Sequence, residues 1–207
     1  MPASRLHLVR HGEVYNPARV LYGRLPDYYL SESGRQMARA AAEHIASFGR
    51  PVAELRCSPL ERTQESAEPF TELFGLVPTL DARIIEPANV FEGKRMSRAL
   101  RNPLNWRHLR RPSLPSWGEA YVSIAERMLA AMDERWHDAD GGDVVFVSHQ
   151  APIWITHLSI AGLPLRHDPR TRRCALSSVT SFERVGDVWR EVDYAEPAAE
   201  GIDLGAV

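Results

Sequence analysis

The hydrophobic positions of this chain fall into two patterns that alternate along the sequence. Short apolar runs are typical of strands that are buried inside a sheet. Longer stretches in which apolar residues recur every three or four positions predict amphipathic helices. The predicted strands span residues 6–9, 51–58, 77–86 and 143–149, with a final pair within 176–194. The predicted helices span residues 30–49, 60–75, 119–136 and 151–162.

Capping and turn residues mark several ends of these elements. Ser31 or Ser33 can cap the first helix, and Gly49 is expected to end it. The second helix is expected to end at Gly75. The Gly-Asp pair at 186–187 predicts the turn of a closing hairpin.

Strands that alternate with helices of this length predict βαβ units. We therefore expect an α/β fold, a three-layer helix-sheet-helix sandwich around a mostly parallel sheet, with an antiparallel edge strand supplied by the hairpin. The length of 207 residues suits one domain over 1–207. The tail at 195–207 is expected to lie loosely on the surface.

Composition restricts the setting in which the protein works. A formal net charge of −2 provides no global basic field to attract nucleic acid or an anionic membrane. Cys57 and Cys174 are too few and too far apart for a disulfide framework, which fits a reducing compartment. The sequence has no secretory leader pattern and no apolar run of eighteen residues. These features predict a soluble cytoplasmic protein.

One segment departs from the average composition. Residues 93–118 contain no acidic residue and seven basic ones, which are Lys94, Arg95, Arg98, Arg101, Arg107, Arg110 and Arg111. The segment is either a solvated basic surface or a small lobe over the active site that attracts an anionic substrate. We favour the lobe because of the side chains that follow the predicted strands.

Chemically active side chains lie at or just after the ends of four predicted strands. Arg10 and His11 come after the first and Arg62 after the second, while Glu86 is the last residue of the third and His149 the last residue of the fourth. The carboxyl ends of parallel strands meet at one edge of a sheet, where α/β proteins bind ligands. Each residue alone has an ordinary structural explanation, but their joint placement predicts an active site.

This set of residue types suits phosphoryl transfer. Arginine presents a fixed fork of donors that matches phosphate oxygens and stays charged at any working pH. A neutral histidine among arginines can attack phosphorus, while a second histidine donates to an oxygen that gains negative charge. A carboxyl group can protonate the departing alkoxide and later accept a proton from water. Because the cationic pocket supplies the electrostatics, the chemistry requires no metal ion.

Four sequence motifs carry a resemblance to a known family. They read LVRHGEV, YGRLPDYYLSESGRQMA, CSPLERTQESA and VVFVSHQAPI. Over roughly residues 5 to 185 the chain resembles the histidine phosphatase superfamily, also called the phosphoglycerate mutase-like proteins. The resemblance implies that His11 is the nucleophile that becomes phosphorylated and that Arg10, Arg62 and His149 complete the phosphate pocket. It also implies that Glu86 is the general acid and base.

Further positions follow from the same resemblance. Asn16 and Gly23 resemble substrate-binding positions that contribute a side-chain and a backbone contact near the phosphate, and Glu13 resembles a structural partner of the pocket. Asn16 lies five residues after His11, where the family commonly has six. Gln150 replaces a frequent glycine.

The general acid has a second candidate. The segment PANV after Glu86 is about one residue shorter than the usual glycine-bearing run of the family. On this view the shortened loop points Glu86 into solvent, and Glu92 or another carboxylate of the loop protonates the leaving group.

The resemblance implies transfer to histidine and leaves the acceptor of the phosphoryl group open. The chain is short for a cofactor-dependent phosphoglycerate mutase and lacks the long insertion of that subgroup, so we expect a phosphatase that hydrolyses phosphomonoesters. Phosphoglycerate mutase activity is the alternative. A third interpretation, an inactive pseudo-phosphatase scaffold, would fit better if the pocket had lost a histidine or arginine.

Partners and cofactors follow from the same reasoning. We expect a small phosphorylated metabolite as substrate, and the acid-free segment 93–118 suggests one with a second anionic group, such as a phosphosugar acid or a nucleotide. No nucleic acid, no membrane and no cofactor are expected. The sequence contains no HExxH motif that would indicate a metal hydrolase. The oligomeric state stays open, a homodimer included.

Overall fold

The computed structural model describes residues 1, 3–99, 101–109, 118–139 and 141–199. In these ranges six strands form one sheet in the order β3-β2-β4-β1-β5-β6. The strands are β1 (Arg5–Arg10), β2 (Val52–Cys57), β3 (Thr79–Leu80), β4 (Asp143–Ser148), β5 (Val179–Val185) and β6 (Val188–Ala195). The first four strands are parallel, and β5 pairs antiparallel with both β1 and β6. The fold class predicted from the sequence is confirmed.

The helices are α1 (Glu32–Ser47), α2 (Glu61–Phe74), α3 (Met96–Ala99), α4 (Tyr121–Asp138) and α5 (Gln150–Ile160). The Ser31 side chain caps α1 by accepting a hydrogen bond from the Gly34 amide. Gly75 ends α2 in the left-handed conformation, with a φ of 67°. Both ends lie where the capping residues predict them.

The two faces of the sheet are covered by different helix pairs. Strand β4 is buried along its whole length, and its side chains alternate between the two faces. Val144 and Phe146 join a core cluster with residues of α4 and α5. Val145 and Val147 join a second cluster with residues of α1 and α2. This arrangement makes the three layers of the sandwich.

The third predicted strand, 77–86, is largely wrong. Only Thr79–Leu80 pairs with β2, and a short 3-10 helix at Ala82–Ile84 follows. Asp81 caps that turn by accepting a hydrogen bond from the Arg83 amide, and its carboxylate also forms ion pairs with Arg83 and Arg56. Because the local side-chain bonds satisfy the turn, the apolar residues after Leu80 do not extend the strand.

The prediction of a loose tail needs a correction for its first part. Residues Pro197–Ala199 form a 3-10 turn that packs on α1, and Ala198 is buried. Residues 200–207 lie outside the described ranges. The described helices include none that is both long and apolar enough to cross a membrane.

A close contact with the first turn of α1 determines the residue type at position 12, two residues after the end of β1. A Cβ atom added to Gly12 would lie 2.2 Å from the carbonyl oxygen of Gly34 at the start of α1. Only glycine allows this approach. The Gly12 amide donates to the Ser66 hydroxyl of α2, so the backbone beside His11 is held by two helices.

Candidate active site

The structure brings four of the predicted side chains together at the carboxyl end of the sheet. Arg10 ends β1 and His11 follows it, Arg62 lies in the first turn of α2, and His149 directly precedes α5. The ring centroids of His11 and His149 are 5.3 Å apart. The Nη2 atom of Arg62 lies 3.2 Å from Nδ1 of His149. The convergence expected from the strand ends is therefore present.

The hydrogen bonding of His11 assigns the state of its ring. Its Nδ1 lies 2.7 Å from the Gly12 carbonyl oxygen, which can only accept, so Nδ1 carries the proton. The remaining nitrogen, Nε2, has a free lone pair. His11 lines a cavity at the carboxyl end of the sheet. Burial, followed by the charges of Arg62 and Arg10, holds the pKa of His11 well below its usual range. His11 is thus a neutral histidine that can act as a nucleophile.

Neither arginine forms an ion pair with a carboxylate in the described ranges. Arg62 is completely buried, and its Nε and Nη1 atoms have no hydrogen-bond partner in the described part of the chain. Its Nη2 donates to the Gly23 carbonyl at 2.7 Å, and the guanidinium lies 4.8 Å from the Tyr22 ring centroid. Arg10 donates from Nη1 to the Cys174 carbonyl, while its Nε is buried without a hydrogen-bond partner among the residues that the structure describes. Because such donors are costly to bury, the arrangement favours an anionic ligand.

Both ring nitrogens of His149 are occupied. Nδ1 accepts from Arg62, so Nε2 carries the proton and donates to the Ser58 hydroxyl at 2.8 Å. Burial, then the charge of Arg62, holds the pKa of His149 well below its usual range. A ligand oxygen that takes the place of the Ser58 hydroxyl can accept this hydrogen bond from Nε2.

Glu86 lies beyond the short 3-10 helix and lines the same cavity. Its carboxylate accepts the backbone N–H of Ala151 at the start of α5, and its Oε2 atom is buried without a partner among the described residues. Burial raises the pKa of Glu86, and the charges of Arg172, Arg62 and Arg10 oppose that rise. A buried carboxyl with a raised pKa suits a general acid.

The alternative acid, Glu92, is engaged elsewhere. Its Oε1 atom accepts the backbone N–H groups of Arg24 at 3.0 Å and Asn89 at 3.1 Å. It is not among the residues that line the cavity. The geometry therefore favours Glu86, and Glu92 joins two loops.

Of the two substrate-binding positions suggested by the resemblance, Gly23 lines the cavity and Asn16 does not. Gly23 lines the cavity and has a φ of +44°, a conformation that favours glycine. Asn16 does not line the cavity, because its side-chain amide bonds both the carbonyl and the N–H of Val20. The structure therefore does not place Asn16 against a phosphate.

Glu13 and Gln150 also lie close to the pocket. Glu13 accepts a hydrogen bond from the Ser31 hydroxyl, and its carbonyl accepts the Ser31 amide, so it ties the pocket loop to α1. Gln150, the first residue of α5, lies in the cavity wall.

The cavity has a volume of about 620 Å³, a size typical of sites for small organic ligands. Apolar side chains form much of its wall, including Val20, Leu21, Phe91, Met96, Tyr121 and Ile124. In the basic segment, Lys94, Arg95, Arg98 and Arg101 are exposed, and none of them lines the cavity. The side chain of Arg107, with Arg110 and Arg111, lies outside the described part of the structure. Among the described residues no three His, Cys, Asp or Glu side chains are grouped as metal ligands.

Sequence reasoning did not assign several charged or aromatic residues that line the cavity, which are Tyr22, Phe91, Glu119, Tyr121, His167 and Arg172. Two of them lie close to the predicted pocket residues. Tyr22 covers Arg62 and forms a T-shaped contact with the His11 ring, at a centroid distance of 6.5 Å. Its position directly before Gly23 could have indicated it. Arg172 lies in the loop between α5 and β5, and nothing in the local pattern RTRRC distinguishes it from its neighbours.

Comparison with known proteins places this geometry in a family. The model of the histidine phosphatase superfamily (branch 1) matches residues 6–197. A Mycobacterium tuberculosis protein described as "Uncharacterized protein Rv0525" is 46% identical over 199 residues, which cover 95% of this chain and 98% of that protein. The "Probable phosphoglycerate mutase GpmB" of Erwinia tasmaniensis is 28% identical over 184 residues, which cover 84% of each chain.

A solved structure agrees with this assignment. The mycobacterial glucosyl-3-phosphoglycerate phosphatase in complex with inorganic phosphate has a TM-score of 0.74 and 27% identity, with coverage of 94% of this chain and 99% of that one. The family model spans nearly the whole chain and includes all of the sheet except Arg5, the first residue of β1. The protein is therefore a member of the histidine phosphatase superfamily.

Proposed function

We propose that the protein is a phosphatase that hydrolyses phosphomonoesters through a phosphohistidine intermediate on His11, without a metal ion. The observation that carries this proposal is the neutral His11 ring, with a free Nε2 lone pair, beside two arginines that have no carboxylate partner in the described residues. A phosphoryl group supplies the negative charge that this pocket lacks.

The first step forms a bond between Nε2 of His11 and phosphorus and breaks the bond between phosphorus and the ester oxygen. Arg10 and Arg62 hold the phosphate oxygens, and His149 donates to one of them as charge builds. Glu86 gives its proton to the departing oxygen, which leaves as an alcohol.

The second step returns the enzyme to its starting state. Glu86, now a carboxylate, accepts a proton from water, and the water oxygen attacks phosphorus. The bond between phosphorus and Nε2 breaks, inorganic phosphate leaves, and Glu86 is again protonated. Atoms and charge therefore balance over one turnover.

A mutase would use the same first step and a different acceptor. The 28% identity to the "Probable phosphoglycerate mutase GpmB" supports this second candidate, in which the phosphoryl group returns to another hydroxyl of a phosphoglycerate. The similarity to a structure of a phosphatase with inorganic phosphate supports hydrolysis.

One experiment distinguishes a phosphatase from a mutase. Purified protein is assayed with a panel of phosphomonoesters, with and without a chelator, and with 2- and 3-phosphoglycerate in both directions. We expect phosphate release that the chelator does not change, and acid-labile phosphate on His11 after rapid quenching. Interconversion without phosphate release would favour the mutase, and label on a serine or aspartate would overturn the mechanism.

The wider setting is part of the proposal. We propose a small phosphorylated metabolite as substrate and the cytoplasm as the location, which Cys57 and Cys174, both buried and free, support. We also propose that segment 93–118 forms a lobe at the cavity, which the lining residue Met96 supports.

A further inference from the structure

The wall of the cavity contains a third arginine outside the phosphate pocket. Arg172 follows the 3-10 turn Pro169–Thr171 in the loop that joins α5 to β5. This loop is not part of any motif that carries the phosphate-binding residues.

Arg172 is held in place by a neutral acceptor. Its Nε donates to Nε2 of His167 at 2.9 Å. The other ring nitrogen of His167 donates to the Leu165 carbonyl at 2.8 Å, which leaves Nε2 as an acceptor. Burial lowers the pKa of His167, so the ring stays neutral and orients the guanidinium without cancelling its charge.

The two neighbouring arginines of the loop differ from Arg172 because each forms an ion pair. Arg170 forms an ion pair with Asp168, and Arg173 forms one with Glu191 while it lies over the Tyr194 ring. Arg172 has no carboxylate partner among the residues that the structure describes, and of the three it alone lines the cavity. The loop therefore neutralises its outward cations and leaves the inward one unpaired.

One side chain joins Arg172 to the phosphate pocket. Gln150 lies between them, with its Oε1 atom 3.5 Å from Nη1 of Arg172 and its Nε2 atom 3.4 Å from the Cys174 carbonyl. The same carbonyl accepts a hydrogen bond from Arg10. A molecule whose phosphate lies at Arg10 can thus reach Arg172 with a short spacer.

We infer that Arg172 binds a second anionic group of the substrate, so that the preferred substrates are small phosphomonoesters with a carboxylate or a second phosphate near the scissile one. This inference rests on the proposed phosphatase function. It assigns the second cation to the loop after α5 instead of to the basic segment 93–118.

The position of Arg172 also connects substrate binding to the acid. Among the charges that lower the pKa of Glu86, Arg172 has the largest effect. An anion bound at Arg172 offsets its charge, so the pKa of Glu86 rises and a larger fraction of the acid is protonated when such a substrate is bound. The acidic group in the pH profile of kcat should then titrate higher for a doubly anionic ester than for its matched partner.

The test compares kcat/KM for two matched pairs of esters. The carboxylate pair is 3-phosphoglycerate and glycerol 3-phosphate, and the phosphate pair is propane-1,3-diol bisphosphate and 3-hydroxypropyl phosphate. We expect wild-type protein to prefer at least one doubly anionic member by about 10- to 100-fold, the size expected for a charge-assisted contact. The pair that shows the preference identifies the anion.

Variants locate the preference in the molecule. In Arg172→Gln the ratio of kcat/KM for the doubly anionic ester to kcat/KM for its matched partner should fall close to one. Any change in the pKa of Glu86 caused by the substitution affects both esters, so it cancels in this ratio. Arg170→Gln, two residues earlier and exposed, is the matched control and should keep the wild-type ratio. Hydrolysis with equal kcat/KM in both pairs, or an unchanged ratio in Arg172→Gln, would overturn this inference alone. Absence of hydrolysis of every ester would instead contradict the proposed function.

Discussion

Two buried histidines at the same strand have opposite electrostatic surroundings. His7 lies within β1, and His11 directly follows its last residue. Both side chains are buried, at 0% and 3% exposure. Their difference lies in whether the charges around them are paired.

The surroundings of His7 are balanced. Its ring nitrogens contact the Ser181 hydroxyl at 2.9 Å and the Asp143 carboxylate at 3.1 Å. Asp143 also accepts two hydrogen bonds from Arg50, at 2.6 and 3.0 Å. Each charged group therefore has a partner of opposite sign, as expected where polar groups serve the fold.

The surroundings of His11 are unbalanced. Arg10 and Arg62 raise the local positive charge, and in the described part of the chain one buried oxygen of the Glu86 carboxyl has no hydrogen-bond partner. A fold tolerates such a cluster only at a cost, which a bound phosphate would remove. Unpaired charge, more than the presence of histidine, thus distinguishes the site from the core.

The largest expected effect is on catalysis. Replacement of His11 by alanine should lower kcat on the order of 10⁵-fold, as loss of a nucleophile does, because no other group is placed to attack phosphorus. Far-UV circular dichroism should stay unchanged. Steady-state assays and rapid-quench labelling measure the loss. Replacement of His7 by asparagine is the control, and a comparable loss of kcat there would contradict the distinction between the two histidines.

The next effect concerns the unpaired arginines. Arg62→Lys and Arg10→Lys should each lower kcat/KM by about 100-fold or more, because a point charge cannot reproduce a planar fork of donors. Arg50→Lys, at the paired network around His7, should change kcat/KM far less. Near-normal activity of both pocket variants would mean that the phosphate binds elsewhere.

A smaller and selective effect is expected at the acid. Glu86→Gln should lower the rate about 100-fold on an alkyl phosphate and much less in the phosphorylation of His11 by para-nitrophenyl phosphate, whose phenolate leaves without a proton. Because Glu86 also activates water, the variant should show a burst and then slow turnover.

Glu92→Gln serves as the comparison for the acid. It should lower the rate on both esters to a similar extent, because Glu92 supports loops and does not line the cavity. A dependence on the leaving group in Glu92→Gln, with Glu86→Gln nearly silent, would reverse the assignment.

The two histidines should also differ in how they link stability to pH. Each folded-state pKa is lowered, so each neutral ring stabilises the fold above about pH 6.5, and that contribution is lost as the pH falls. For each histidine that stays neutral in the folded state, the free energy of unfolding falls by about 1.4 kcal/mol for every pH unit below 6.5. Asp143 counteracts the shift at His7 only. Between pH 6.5 and 5.0, His11→Ala should therefore flatten the dependence of unfolding free energy on pH more than His7→Asn, measured by urea titration. Equal slopes in the two variants would contradict this difference.

The parts of the molecule that sequence predicted well share a physical basis. His11, Arg62 and His149 follow strands or begin helices whose bounds depend on local apolar pattern and on glycine, so their convergence could be inferred. The environment of Arg172 depends on how a loop without periodicity folds back, which needs contacts with His167 and Gln150. The 3-10 turn before Glu86 was missed because Asp81 bonds locally and ends the strand early. His7 could not be told from His11 by residue type, since its partner Asp143 is 136 positions away.

The smallest expected effect concerns Asn16, where resemblance and structure differ. Its amide closes the loop by bonding both backbone groups of Val20, and Val20 lines the cavity. If Asn16 only shapes this loop, Asn16→Ser keeps a hydroxyl that can accept from the Val20 amide without adding charge, and it should change kcat/KM less than about threefold, well below the loss expected for a direct donor to phosphate. A fall of 100-fold in kcat/KM, together with a weaker inhibition by inorganic phosphate, would instead show that the side chain turns toward the ligand when phosphate binds. Asn16→Ala, which removes both loop bonds, separates the two cases because loss of the loop bonds should raise KM and leave kcat nearly unchanged.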